Sequence, residues 1–169
     1  MAVQTGRTVS KYIRFILGDS SNVLREVGVN SIGEIGLTAE EVDLSAFQDA
    51  FEGFLSGQPG FELEFGGPHD TIAAAAVAAS AAAPVLSGSH TVLQPIDRDT
   101  TPRSWGVYFG NRHYWETGEV TFGISRSATS GVWVSKYTLK PDGGGISYSA
   151  RLRLFPGSTG MAWGTAAVT

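Results

Sequence analysis

From residue 105 onward, apolar and polar side chains alternate in short runs separated by glycine and proline, the period-two pattern of half-buried strands. The clearest run puts Ile146, Tyr148, Ala150, Leu152 and Leu154 on one face and Ser147, Ser149, Arg151 and Arg153 on the other. A strand over 132–140 precedes it, closed by Pro141-Asp142-Gly143-Gly144-Gly145, where proline pre-sets one turn dihedral and glycine supplies positive φ. Val120, Phe122 and Ile124 alternate with Thr121, Gly123 and Ser125 in a strand over 119–126. With runs at 105–109, 113–116 and 161–166, this half reads as an antiparallel meander.

The N-terminal half is β-rich but less regular, with strand candidates at 12–17, 23–29 and 32–37. A further strand over 61–65 turns Phe61, Leu63 and Phe65 inward and leaves an acidic outer face of Glu62 and Glu64. Ser45 and Gln48 fit a capping box, and Phe47, Phe51, Phe54 and Leu55 then share one side of a short helix that Gly57 would end. A second helix is predicted over about 70–83, with Asp70 as N-cap and Pro84 as the stop. Its alanines bury little area, so it should pack closely on a sheet without adding much core. Residues 91–101 read as a long loop. These elements predict a single domain over 1–169, mainly β: an antiparallel β-sandwich or barrel with one flanking α-helix and a long acidic inter-strand loop over 38–60.

A chain of 169 residues suffices for one such core, and 42% hydrophobic against 17% charged residues is a globular balance. The absence of cysteine excludes a disulfide scaffold and thiolate metal sites. The first residues contain no apolar signal region, so no secretion signal is expected, and a reducing cytoplasm is the default compartment. The uncharged stretch 71–96 is alanine-rich and broken by Ser80, Pro84 and the polar residues 87–90, so no membrane span is expected. Charge is distributed unevenly. Residues 1–25 carry +3, residues 26–97 carry eleven acids and no Lys or Arg, and residues 98–169 carry +4. Either these segments neutralise one another within the fold, or they leave opposed patches suited to head-to-tail contacts between copies.

Little in the sequence points to catalysis. Gly18-Asp19-Ser20 resembles the nucleophile block of GDSL hydrolases, but that family also needs an Asp-x-x-His near the C-terminus, and the last histidine here is His113, with no Asp three residues before it. A turn explains the motif better. His69, His90 and His113 have no metal-type spacing, and Glu40, Glu41 and Asp43 read as a solvated acidic loop. Gly143–Gly145 is a hairpin tip and not a phosphate cradle. No catalytic, cofactor or metal site is expected, and the chain is not expected to be an enzyme. Trp105, Tyr108, Tyr114 and Trp115 could form a sugar-stacking platform. The favoured alternative puts Trp105 and Phe109 in the core, with Tyr108 and Tyr114 paired across a hairpin.

A family likeness rests on Gly-Glu-Ile-Gly-Leu (33–37), Glu-Glu-Val-Asp-Leu-Ser-Ala-Phe-Gln-Asp (40–49) and Phe-Leu-Ser-Gly-Gln-Pro-Gly-Phe-Glu-Leu-Glu-Phe-Gly-Gly-Pro-His-Asp (54–70). Trp-Gly-Val-Tyr-Phe-Gly (105–110) and the alternating strand 146–155 extend it. In order and pattern, roughly residues 7–166 resemble the siphophage major tail tube proteins. The resemblance implies a structural virion protein whose β-sandwich subunits close into hexameric rings and stack into a tube around a tape-measure protein. DNA then passes through the lumen without specific binding. Its implied partners are further copies of itself, the tape-measure protein, and the tail terminator and distal tail proteins. It further implies that Glu40, Glu41, Asp43, Phe47, Asp49, Phe51 and Phe54 form an inter-ring stacking loop, and that Glu62 and Glu64 face the channel. The alternatives are a capsid decoration or other virion β-domain, and a carbohydrate-binding β-sandwich module.

Overall fold

The computed structural model describes residues 13–39, 41–43, 54–56, 60–78, 84–110, 115–116 and 118–169. Among these residues, twelve strands run in chain order: β1 (Ile13–Gly18), β2 (Leu24–Val27), β3 (Ser31–Ile32), β4 (Glu41–Asp43), β5 (Phe54–Ser56), β6 (Glu62–Pro68), β7 (Leu86–Ser87), β8 (Trp105–Phe109), β9 (Thr121–Ile124), β10 (Val132–Asp142), β11 (Gly145–Leu154) and β12 (Ala162–Gly164). The α-helix among the described residues, α1 (Ser89–Leu93), runs into a 3-10 turn over Gln94–Ile96. The first sheet has the order β12-β9-β8-β1-β2-β7, the second β10-β11-β6-β3, and β4 pairs with β5 alone.

The expected sandwich is present, with its core between the two large sheets. Phe15, Leu17, Trp105, Val107, Phe122 and Ile124 from the first sheet meet Phe61, Leu63, Phe65, Tyr148, Ala150 and Leu152 from the second. Aromatic rings bridge the layers, Phe15 to Phe65 at 4.5 Å and Phe61 to Trp105 at 5.0 Å between centroids. A second, smaller cluster lies on the other face of the first sheet, where Ile16, Tyr108, Trp115 and Val77 pack together. The last residues of the chain close that face. Tyr108 Oη accepts the Val168 N–H at 3.0 Å, and a Cβ on Gly106 would meet Val168 at 3.2 Å, close enough that the valine would have to give way.

The C-terminal half is not one meander. β8 and β9 pair in the first sheet, the chain crosses over at 125–131, and β10 and β11 form a hairpin in the second. Pro141 lies within β10 opposite Ile146, and Asp142 pairs with Gly145, leaving Gly143-Gly144 as a two-residue turn.

Both helix expectations need correction. Phe54, Leu55 and Ser56 are not on a helix but in β5, paired with Asp43, Val42 and Glu41. Residues 44–53 lie outside the described residues. The stretch 71–78 is not helical either, and 79–83 also lie outside the description. Asp70 does make a cap-like bond, its Oδ1 accepting the Ile72 N–H at 2.8 Å, but no helix follows. The donors a helix would use inward go elsewhere: Ala75 N–H to Ser87 Oγ at 2.9 Å and Val77 N–H to the Leu24 carbonyl at 3.2 Å. Alanine propensity amounts to a few tenths of a kcal/mol per residue, and these tertiary bonds outweigh it. The one described helix forms instead at the start of the predicted 91–101 loop, where Val92, Leu93 and Ile96 are buried at helical spacing.

Candidate assembly surface

The outward face of the second sheet follows from strand alternation. Leu63 and Phe65 point inward, so Glu62 and Glu64 point out, and the same parity puts Ser147, Ser149, Arg151 and Arg153 out on β11. Antiparallel register then sets Arg151 opposite Glu64 and Arg153 opposite Glu62. Arg153 Nε donates to Glu62 Oε2 at 2.8 Å, and Arg151 Nε donates to Glu64 Oε1 at 3.1 Å. Arg151 also lies 3.4 Å from Glu62 Oε1, so the two pairs join into one ladder. The Arg151 guanidinium holds the Glu64 carboxyl below its ordinary value, and Glu64 in turn raises Arg151. On β10, Lys136 and Lys140 stand exposed opposite Arg151 and Ser147.

The purely acidic face expected around Glu62 and Glu64 is therefore not what folds. Their charges are met by Arg151 and Arg153, and the described side chains of this face also include the basic Lys136 and Lys140. Of the two arrangements the charge distribution allowed, internal neutralisation is realised here. It recurs in the first sheet, where Arg14 and Glu26 form a two-bond pair with side chains 4% exposed. Within the first segment itself, Asp19 pairs with Arg25. Burial pushes its carboxyl up, but Arg25 and the Val23 and Ser21 N–H groups more than offset this and hold it below the usual range. The Gly18-Asp19-Ser20 motif is thus the start of the β1–β2 turn, with Asp19 accepting from Ser21 N at 2.8 Å and Val23 N at 3.0 Å.

The sheet edges are the second feature. β10 is bridged on its outer side at Val132 and Val134, by Arg103 and Asp97. Among the described residues no strand covers the stretch from Ser135 to Asp142. At the opposite edge, β3 pairs with β6 at only Ser31 and Ile32. Among the described residues, β10 beyond Val134 and β3 have no further paired strand, and such edges are templates for pairing with further copies.

The third feature is the arm over 38–60. A bridge between Thr38 and Gly60 closes its base, with Gly60 N–H donating to the Thr38 carbonyl at 2.5 Å, and β4 and β5 pair farther out. Glu41 and Asp43 are in β4 and Phe54 is in β5, while Glu40, Phe47, Asp49 and Phe51 lie outside the described residues. The sugar-platform reading fails on burial, since Trp105, Tyr108 and Trp115 are all fully buried; Tyr114 lies outside the described residues. Among the described residues no cluster of three or more His, Asp or Glu side chains could hold a metal ion, and no helix is long and apolar enough to cross a membrane.

The sandwich has solved counterparts that cover nearly its whole length. It superposes on a chain of the PVC sheath-tube complex, an extracellular contractile injection system in its extended state. The TM-score is 0.59 at 10% identity, covering 97% of this chain and 95% of that one. A chain of the anti-feeding prophage baseplate gives 0.59 at 13% identity, with 95% and 97% covered. A chain of the anti-feeding prophage tube-terminating cap gives 0.57 at 12% identity, with 98% and 95% covered. The fold is that of chains in contractile injection particles. No family model and no curated protein matches the sequence itself. At these identities the shared property is the fold.

Proposed function

We propose that the chain is a structural subunit of a phage-like tail tube and has no catalytic role. The observation that carries this reading is the full-length likeness to chains from tube-bearing particles, at 95% or more of both partners. The open edges of the second sheet support it, because β10 of one copy and β3 of the next can pair to close a ring. Six copies close the ring, rings stack around a tape-measure protein, and terminator and distal tail proteins cap the ends, as the siphophage likeness implies. The product is a tail in the virion, whose lumen carries DNA.

Within that reading, the face bearing Glu62 and Glu64 lines the channel, and its chemistry is charge pairing where simple repulsion was expected. Arg151 and Arg153 are held by carboxylates, so they do not present free guanidiniums to passing phosphates. The arm, with Glu40, Glu41, Asp43, Phe47, Asp49, Phe51 and Phe54, makes the inter-ring contact. The test is electron microscopy of the purified chain at high concentration, alone and with tail-assembly partners. Rings or tubes are expected, and Phe47→Ala with Phe51→Ala should leave soluble protein that forms rings but no long tubes. Monomer alone at every concentration, salt and partner condition would sink the tube reading. Long tubes from the double variant would remove the arm from the contact.

A further inference from the structure

Strand β11 carries an unusual feature at each end. At its start, the β10–β11 hairpin runs past the core: Leu139 and Ile146, on its core-facing side, are 41% and 47% exposed. Pro141, directly opposite Ile146, completes an apolar knob tipped by glycines whose Cβ positions meet nothing. At its other end, Leu154, Phe155, Pro156 and Met161 with Leu37 and Phe61 line an open, mainly apolar groove of about 630 Å³. Leu37 is itself 41% exposed. Ile146 and Leu154 are eight residues apart, about 27 Å along a strand. A knob and a groove at opposite ends of one strand cannot meet within one molecule. They can meet between two copies related by translation along that strand, which is a heterologous contact that propagates without closing.

We infer that the β10–β11 hairpin tip of one copy seats in the 154–161 groove of the next. The inference rests on the tube reading and adds to it a contact made by residues outside the 38–60 arm. The occupant is a second copy for two reasons. The same molecule supplies the matching apolar hairpin, and the bridge at Thr38 and Gly60 places the base of the arm beside the groove, with Gly60 in its wall. Burying Leu139, Pro141 and Ile146 in the groove removes from water side chains that the isolated fold leaves exposed.

The chain has no cysteine, so engineered thiols report this contact cleanly. Gly144→Cys sits at the tip in open space, and Thr159→Cys sits exposed in the groove wall. A disulfide requires their Cα atoms within about 7 Å, which a seated hairpin provides. Under mild oxidation of the assembled protein, the double variant should give a ladder of linked dimers, trimers and longer chains on denaturing gels. A mixture of the two single variants should stop at dimers, and each single variant alone should stay monomeric. Leu139→Asp with Ile146→Asp should cut tube length at least tenfold while leaving the melting transition of the monomer in place. Tubes without a ladder, which includes a groove filled from within the same chain, would overturn this contact and leave the tube reading standing. Dimers from a single variant would replace it with a two-fold contact. No assembly in the unmodified chain would overturn both.

Discussion

Arg14 on β1 and Glu26 on β2 lie diagonally on the outer face of the first sheet, with Glu26 opposite Ile16, and their two hydrogen bonds of 2.9 and 2.7 Å engage both carboxylate oxygens. Glu26 Oε2 also accepts the Val85 N–H at 3.1 Å, so one carboxylate ties β1, β2 and the segment entering β7 together. Such a pair adds little net stability over apolar residues of equal size, because desolvating two charges offsets most of their attraction. Removing one partner is a different matter. Arg14→Met leaves a buried carboxylate and should cost about 3–5 kcal/mol. Arg14→Met combined with Glu26→Met should recover most of that loss. The Val85 N–H then loses its acceptor, but Val85 is 41% exposed and water can replace it. Urea unfolding of the three proteins checks this. A double variant as unstable as the single one would mean that the pair itself, and not the stranded charge, holds these strands.

At the scale of elements, period two is a local signal, and β6, β9 and β11 fall where alternation put them, while β1, β2, β8 and β10 lie on the expected strand runs. Partnership was not local. The alternation already put Arg151 and Arg153 out on one strand and Glu62 and Glu64 out on another, but their pairing depends on the β6–β11 register across about ninety residues. The alanine stretch misled for the same reason. Its fate was set by Ser87, Leu24 and Gly88, which the helical pattern does not contain. Gly88 N–H donates to the Ile72 carbonyl at 3.2 Å, and Thr91 Oγ donates to the same oxygen at 3.0 Å. A Cβ on Gly88 would lie 2.5 Å from that oxygen and 2.6 Å from the Ile72 nitrogen, both backbone atoms that cannot swing aside. Gly88→Ala should therefore cost about 1–3 kcal/mol, the range for overpacking. Amide exchange over 70–78 and 84–91 should rise together, since the two limbs are clipped at this point. Exchange unchanged in both limbs would mean that the clasp does not hold them.

For the whole molecule the question is how a chain of net charge −4 presents, on the outward face of its second sheet, more basic than acidic groups among the described side chains. The excess acid lies largely in the 38–60 segment, which holds Glu40, Glu41, Asp43, Asp49 and Glu52 and no basic residue. On the proposed channel face, the ladder spends Glu62 and Glu64 on two guanidiniums. Under the tube proposal their value is then as masks: each carboxylate would remove one phosphate-binding group from a surface facing the DNA. Glu62→Gln with Glu64→Gln keeps the shape, abolishes both negative charges and frees Arg151 and Arg153. The ladder lies at the surface, so fold stability should change little, as for exposed ion pairs generally. Binding to DNA should change much more. Each additional phosphate contact steepens the dependence of log affinity on log salt by about 0.9, so two freed arginines should steepen it by about 2. Retention of double-stranded DNA by the double variant, titrated from low to high salt against the unmodified protein, measures that slope. DNA delivery by tails carrying the variant should slow most at low ionic strength, where screening is weakest. An unchanged slope would mean that the arginines were never masked toward DNA, and the ladder would then serve only to hold β6 and β11 in register.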